Sequence, residues 1–210
     1  AIEMSVDAVV HAGDLFHDPR PDLTDLLATL ESLRRLAAAD IPFLAIVGNH
    51  ERTQDRQWID LFAELDLAVR LHQDGTIVGD VTLYGLDYVP ASQQAAVSID
   101  LSPPETPHAA LVAHGLFEPF AHAEWETTVL LEEVSLDVDA LLLGDNHEPG
   151  QATVDGTVVT YCGSTERTSA AEETTRGYNL VRFTEDGVEV TRRSLSETRR
   201  FVYIDVDVPP

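Results

Sequence analysis

Four apolar runs in this chain each stop at a glycine flanked by side chains that can bind a metal. They are VDAVVHAGD at 6–14, FLAIVGNHE at 43–51, AALVAHG at 109–115 and VDALLLGDNH at 138–147. Short continuous apolar runs of this kind read as buried parallel strands. In α/β sheets, sites form beyond the carboxyl ends of the strands. Four such ends at one edge bring Asp14, Asn49, His114, Asp145 and His147 toward a common point. Between the first two runs, leucines at 23, 26, 27, 30, 33 and 36 follow helical spacing. Pro21 and Asp22 mark the start of that helix, expected over 22–39. Strands alternating with helices give the fold class α/β.

The remaining elements are shorter. A helix is expected at 56–65, and strands at 67–71 and 81–86, with turns at Gly75 and Gly79. A helix is expected at 91–99, and SPPETP at 102–107 reads as a surface loop. Residues 125–135 form a helix or irregular segment, 158–161 a strand, and 177–194 a hairpin turning at Asp186-Gly187. FVYIDVDV at 201–208 reads as a further strand. No internal repeat or low-complexity linker divides the chain, so no domain boundary is placed before about residue 200. Residues 1–5 read as the tail of a helix, so the natural protein is expected to extend before Ala1. Simple processing is the alternative.

Carboxylate, amide oxygen and imidazole without thiolate suit Mn, Zn or Fe rather than Cu(I) or an iron–sulfur cluster. The single cysteine, Cys162, reads as a small core hydrophobe. An aspartate can donate one oxygen to each of two cations. Two ions about 3.5–4 Å apart activate water and hold a phosphodiester for in-line attack. Each residue alone has a plainer reading. Asp14 could cap a turn, Asn49 could sit in a left-handed turn, His114 could be a core histidine, and Gly144-Asp145 could be a common turn. Their recurrence at four strand ends favours a site. His11, inside its strand, reads as structural, and His72, His108 and His122 read as surface or loop residues.

The charge is unusual. There are 37 acidic residues against 13 basic ones, a formal net charge of −24, and every basic residue is arginine. Periodic apolar runs persist throughout, which argues against disorder. Such a surface repels itself in dilute salt. It suits a very salty cytoplasm, where the Debye length falls to about 3 Å at 1 M. No stretch is long enough to span a membrane, and the start shows neither basic leader nor cleavage pattern. The cytoplasm is the expected location.

GDLFH at 13–17, GNHE at 48–51, the His-Gly of AHG and GDNHEP at 144–149 resemble the calcineurin-like metallophosphoesterases. Within them, GDLFHD, LLLGDNHEP, YCGSTERTS and RRFVYIDVDV resemble the Mre11/SbcD nuclease branch, and the lack of lysine is similar to haloarchaeal members. The resemblance implies two facing sheets flanked by helices. Carried over residue by residue, Asp14 bridges two divalent ions, most suitably Mn²⁺. Asn49 and His114 bind the second ion, and His147 completes the first. His50 contacts the phosphate and stabilises the transition state or protonates the leaving oxygen. His17 positions the DNA end, and Ser164 and Arg167 fall in the motif that closes the domain, with structural roles. The family usually opens with Asp-x-His, and no such motif precedes Asp14. Its usual Gly-His-x-His is Gly-Asp-Asn-His here, with Asp145 at a ligand histidine's place.

The implied function is metal-dependent hydrolysis of DNA phosphodiesters in double-strand break repair, as 3′→5′ exonuclease and single-strand endonuclease. The implied partners are DNA, a Rad50-type ATPase and a second copy in a homodimer. Residues 1–200 correspond to the nuclease domain lacking its first strand, and 201–210 to the start of a capping domain or the connection to it. Arg52, just past GNHE, is placed for a phosphate contact. The alternatives are a phosphoesterase for small molecules or phosphoproteins, and a non-catalytic scaffold of an ATPase complex.

Overall fold

The computed structural model describes residues 1–94, 96–134 and 136–206. In chain order its elements are β1 (Val9–His11), α1 (Leu23–Ala37), β2 (Phe43–Ala45), α2 (Trp58–Ala63), β3 (Val69–Arg70), β4 (Thr76–Val78), β5 (Val81–Leu86), α3 (Ala91–Gln94), β6 (His108–His114), α4 (Thr127–Glu133), β7 (Ala140–Gly144), β8 (Gly150–Val154), β9 (Thr157–Tyr161), β10 (Gly177–Thr184) and β11 (Gly187–Ser194). One sheet is parallel, in the order β1-β2-β3. The second runs β4-β5-β6-β7-β9-β8, parallel through β5, β6, β7 and β9, with β4 and β8 antiparallel at its edges. β10 and β11 pair as a separate hairpin.

Alternation along the strands builds the layers. In the run 43–47, Leu44 and Ile46 point one way, toward Leu71, Leu83, Ala110, Val112 and Ala140, which form the core between the sheets. Phe43, Ala45 and Val47 point the other way, onto Leu33 of α1 and Ile59 and Phe62 of α2. On the far side of the second sheet, Leu111, Ala113, Leu141, Leu143 and Val159 pack with Phe117, Trp125 and Leu130 of the β6–β7 connection. The continuous apolar runs are therefore strands covered on both faces, and the result is two facing sheets flanked by helices.

α1 begins where the sequence places it. Asp22 caps it, accepting from the Asp25 amide at 2.9 Å. The helices expected at 56–65 and 91–99 are shorter, Trp58–Ala63 and Ala91–Gln94. β4 and β8 are strands that the turn residues around them concealed. Ser135 and residues 207–208, within the expected segments 125–135 and 201–208, lie outside the described residues. Residues 201–206 carry no strand and are exposed; among the described residues no neighbouring strand pairs with them. His72 and His122 are exposed as expected. His108 instead starts β6 half-buried, against Phe183 and 3.4 Å from Asp139.

Arg70 on β3 ties the layers by charge. It reaches Asp60 of α2 at 2.9 Å and Asp87, just past β5, at 2.5 Å. Asp87 in turn accepts from the Val47 amide at 2.8 Å, fixing the end of the second apolar run. Burial would raise the Asp60 carboxyl, but the Gln57 amide and Arg70 outweigh it and hold it below the usual range. A depressed folded pKa means stability that is present above the unfolded value of about 3.9 and lost as pH falls through the folded one. Arg70→Ala leaves two part-buried carboxylates facing each other. A loss of roughly 2–3 kcal/mol near neutral pH is expected, narrowing as the solution is acidified. Denaturant melts of both forms across pH measure it.

Candidate metal centre

Each sheet contributes two strand ends to one edge of the sandwich. Asp14 follows β1 and Asn49 follows β2, while His114 ends β6 and Asp145 follows β7. The ligand atoms of Asp14, His114 and Asp145 lie within 4.8 Å of one another. His114 is buried, Asp14 and Asp145 are half-buried, and Asn49 is exposed, so the cluster opens to solvent at its rim.

The hydrogen bonds around His114 fix which of its atoms faces the cluster. Its Nδ1 lies 2.6 Å from the Ala12 carbonyl, which can only accept, so Nδ1 carries the proton. In the neutral ring Nε2 then presents a lone pair. It faces Asn49 Oδ1 at 3.0 Å, Asp14 Oδ2 at 3.4 Å and Asp145 Oδ1 at 3.8 Å. A ring nitrogen converging with two carboxylates and a side-chain amide is a donor set that a cation can join. A proton on His114 answers part of this: burial lowers its pKa, but the Asp14 carboxylate outweighs burial and the net shift is upward. Turning the Asn49 amide is another answer, since its nitrogen would then donate to His114 and to Asp14 at 3.0–3.3 Å. A divalent ion satisfies all four groups at once, and the donor set fits the borderline metals.

Both carboxylates are held in uncommon backbone conformations. Asp14 has φ 59° and Asp145 φ 90°, where L-residues are rare and the cost is roughly 1–3 kcal/mol each. Both side chains reach the cluster. Asp14 is not a local cap. Its Oδ1 accepts from the His50 amide, 36 residues away, at 3.0 Å. Burial would raise its pKa, but His114 and the His50 amide pull it down. Asp145 goes the other way, pushed up by burial and by the Asp14 charge, with His114 and His147 only partly compensating. The two neighbouring carboxyls are thus shifted in opposite directions.

Glu51, which sequence reasoning passed over, joins the first two loops. It is 4% exposed and accepts from the Phe16 amide at 3.0 Å and the Gly48 amide at 3.1 Å. The one sign of it in sequence is an acid closing the GNHE segment. His50 directs Nδ1 to the His17 carbonyl at 3.2 Å, and its ring stacks on His17 with centroids 4.6 Å apart. Arg52 is exposed. His147 is the one expected ligand outside the tight cluster: its Nδ1 is 2.6 Å from Glu172, although it is near enough to Asp145 to influence that carboxyl. Ser164 accepts from Arg176, and Arg167 bonds the Glu172 and Arg199 carbonyls, as structural roles require.

A family model of calcineurin-like phosphoesterases matches residues 1–149, which hold every strand end of the cluster. The chain belongs to the calcineurin-like phosphoesterase family. Among curated relatives, this phosphoesterase is 59% identical to the DNA double-strand break repair protein Mre11 of Haloferax volcanii, over 99% of this chain and 47% of that protein. It is 52% identical to the protein of that name in Halobacterium salinarum, over 100% of this chain and 55% of that one. The chain thus spans about half the length of these relatives. A crystal structure of TT1561 from Thermus thermophilus shares the fold, with a TM-score of 0.54 and 13% identity over 90% of this chain and 88% of that one. No helix among the described residues is long and apolar enough to cross a membrane.

Proposed function

We propose that this phosphoesterase is the catalytic part of a metal-dependent DNA nuclease of double-strand break repair, with 3′→5′ exonuclease and single-strand endonuclease action. The observation that carries the proposal is the convergence of His114 Nε2 with Asp14, Asn49 and Asp145 beyond the carboxyl ends of strands from both sheets. Similarity to the haloarchaeal repair proteins supports DNA as the substrate. The proposed cofactor is a pair of Mn²⁺ ions, which Asp14, Asn49, His114, Asp145 and His147 would hold. When bound, such ions supply Lewis-acid stabilisation of the phosphoryl oxygens and an activated water.

His50 donates its Nδ1–H to the His17 carbonyl and so leaves Nε2 for the substrate. When the ring also carries a proton on Nε2, that N–H can donate to a phosphate oxygen or pass its proton to the leaving oxygen, leaving the neutral ring. The stacked His17 ring limits its rotation and flanks the path of the DNA end. Arg52 contributes a backbone phosphate contact. Such contacts weaken as salt rises, so in a saline cytoplasm shape and metal coordination carry more of the binding. The proposed partners are DNA, a Rad50-type ATPase and a second copy of the chain.

The full-length protein with Mn²⁺ in about 2–3 M KCl, where the Debye length is ~3 Å or less, should shorten duplex DNA from its 3′ ends. His50→Ala should retain its metal and slow that reaction about 10²–10³-fold. Hydrolysis of a small aryl phosphodiester but not of DNA would favour a small-molecule phosphoesterase. A metal-loaded protein inert toward both would favour a scaffold.

A further inference from the structure

Outside the tight cluster, a dense polar network surrounds His147. The Glu172 side chain is 12% exposed, and its oxygens are engaged on every side. Oε1 meets His147 Nδ1 at 2.6 Å and accepts from the Thr168 hydroxyl at 2.9 Å. Oε2 accepts from the Thr168 amide at 3.0 Å and lies 3.5 Å from Arg176 Nη1. Arg176 is 1% exposed, and the same nitrogen donates to the His147 carbonyl at 3.0 Å and to Ser164 Oγ at 2.6 Å. The Ser164 amide donates to that carbonyl as well, at 3.2 Å. One buried guanidinium therefore pins the backbone of His147, and the carboxylate beside it pins the ring.

We infer that Glu172 is a positioning residue for His147. A carboxylate so fully bonded can accept from Nδ1 but cannot turn away. It holds the proton on Nδ1, leaves Nε2 as the ring's only free lone pair, and fixes the direction in which that lone pair points. His147 is 41% exposed on its other faces, so without Glu172 the ring has little to orient it. A carboxylate or carbonyl on the second nitrogen is how imidazole ligands are generally set for a metal, and His114 shows the same device with the Ala12 carbonyl. The inference rests on His147 being a ligand of the metal pair.

The test is Mn²⁺ titration of the full-length protein, followed by the EPR signal of free Mn²⁺, with ¹⁵N spectra of the histidine rings in metal-free samples. Glu172→Ala should weaken Mn²⁺ binding about 10–100-fold and release the His147 ring into a mixture of tautomers. Glu172→Gln, whose carbonyl still accepts from Nδ1, should recover most of both. If the alanine form does not fold, Glu172→Leu fills the same space without an acceptor and should behave as described for alanine. Wild-type Mn²⁺ affinity and an unchanged Nδ1–H tautomer in Glu172→Ala would overturn the inference, provided His147→Ala still weakens binding. If His147→Ala itself binds Mn²⁺ as the wild type does, the ligand assignment fails first and takes the inference with it.

Discussion

Asp14→Asn should cost about 10³-fold or more in phosphodiester hydrolysis while leaving the fold intact. The asparagine keeps the side chain's size and can still accept from the His50 amide, the bond Asp14 makes at 3.0 Å. What it loses is the charge. Asp14 is the more firmly ionised of the two clustered carboxylates, held so by His114 and the His50 amide against the effect of burial. Asp145 is shifted the other way, its pKa raised by burial and by Asp14 itself. Metal stabilisation of a phosphoryl transition state is worth several kcal/mol. At about 1.4 kcal/mol per tenfold, losing most of it gives the stated factor. Rates at saturating Mn²⁺ and the melting temperature of both forms check the two halves of this expectation.

The second large effect comes from glycines rather than ligands. Gly144 and Gly48 have ordinary backbone angles, so their importance lies in space. A Cβ on Gly144 would overlap the Ala12 carbonyl, the acceptor for His114 Nδ1, and would also press on His114 itself. Ala12 directly follows β1 of the first sheet and Gly144 ends β7 of the second, so this is where the two sheets meet under the site. The atom in the way is backbone and cannot swing aside. Overpacking costs typically 1–3 kcal/mol, and Gly144→Ala should reach the upper end. At about 2–4 °C per kcal/mol for a domain of this size, the melting temperature falls roughly 6–12 °C, with metal affinity falling too. A Cβ on Gly48 instead meets the carboxylate and amide of Asp14. Gly48→Ala should therefore displace Asp14 and cost metal affinity out of proportion to stability. Melting curves and Mn²⁺ titrations on the two variants separate the patterns. Equal losses in both variants would mean that the glycines serve general packing only.

These contacts explain why much of the site could be read from the chain. An apolar run stopping at glycine next to a polar side chain is a local signal, and it survives because burial on both faces leaves the strand no other composition. Asp14, Asn49, His114 and Asp145 all lie where that signal puts them. What supports them is not local. Asp87 reaches Val47 across 40 residues, Glu51 reaches Phe16 across 35, and Glu172 reaches His147 across 25. A carboxylate in such a role looks in sequence like any other of the 37 acidic residues. The same distinction separates the secondary elements. α1 carries its own cap and periodicity, whereas the alternating residues 201–206 have the pattern of a strand but no partner among the described residues.

In the structure Asn49 and His114 bond each other at 3.0 Å, and Asp14 and Asp145 approach the same nitrogen at 3.4 and 3.8 Å. A cation coordinated by both residues has to come between them. A crystal grown in molar KCl with Mn²⁺, and measured at the manganese absorption edge, decides whether it does. The expected result is an anomalous peak about 2.0–2.2 Å from His114 Nε2, a usual first-row metal–nitrogen and metal–oxygen distance, and in contact with Asp14 and Asn49, with the asparagine–histidine hydrogen bond broken. A manganese-saturated crystal with no peak there, and with Asn49 still bonded to His114, would contradict the metal centre and the hydrolytic function built on it.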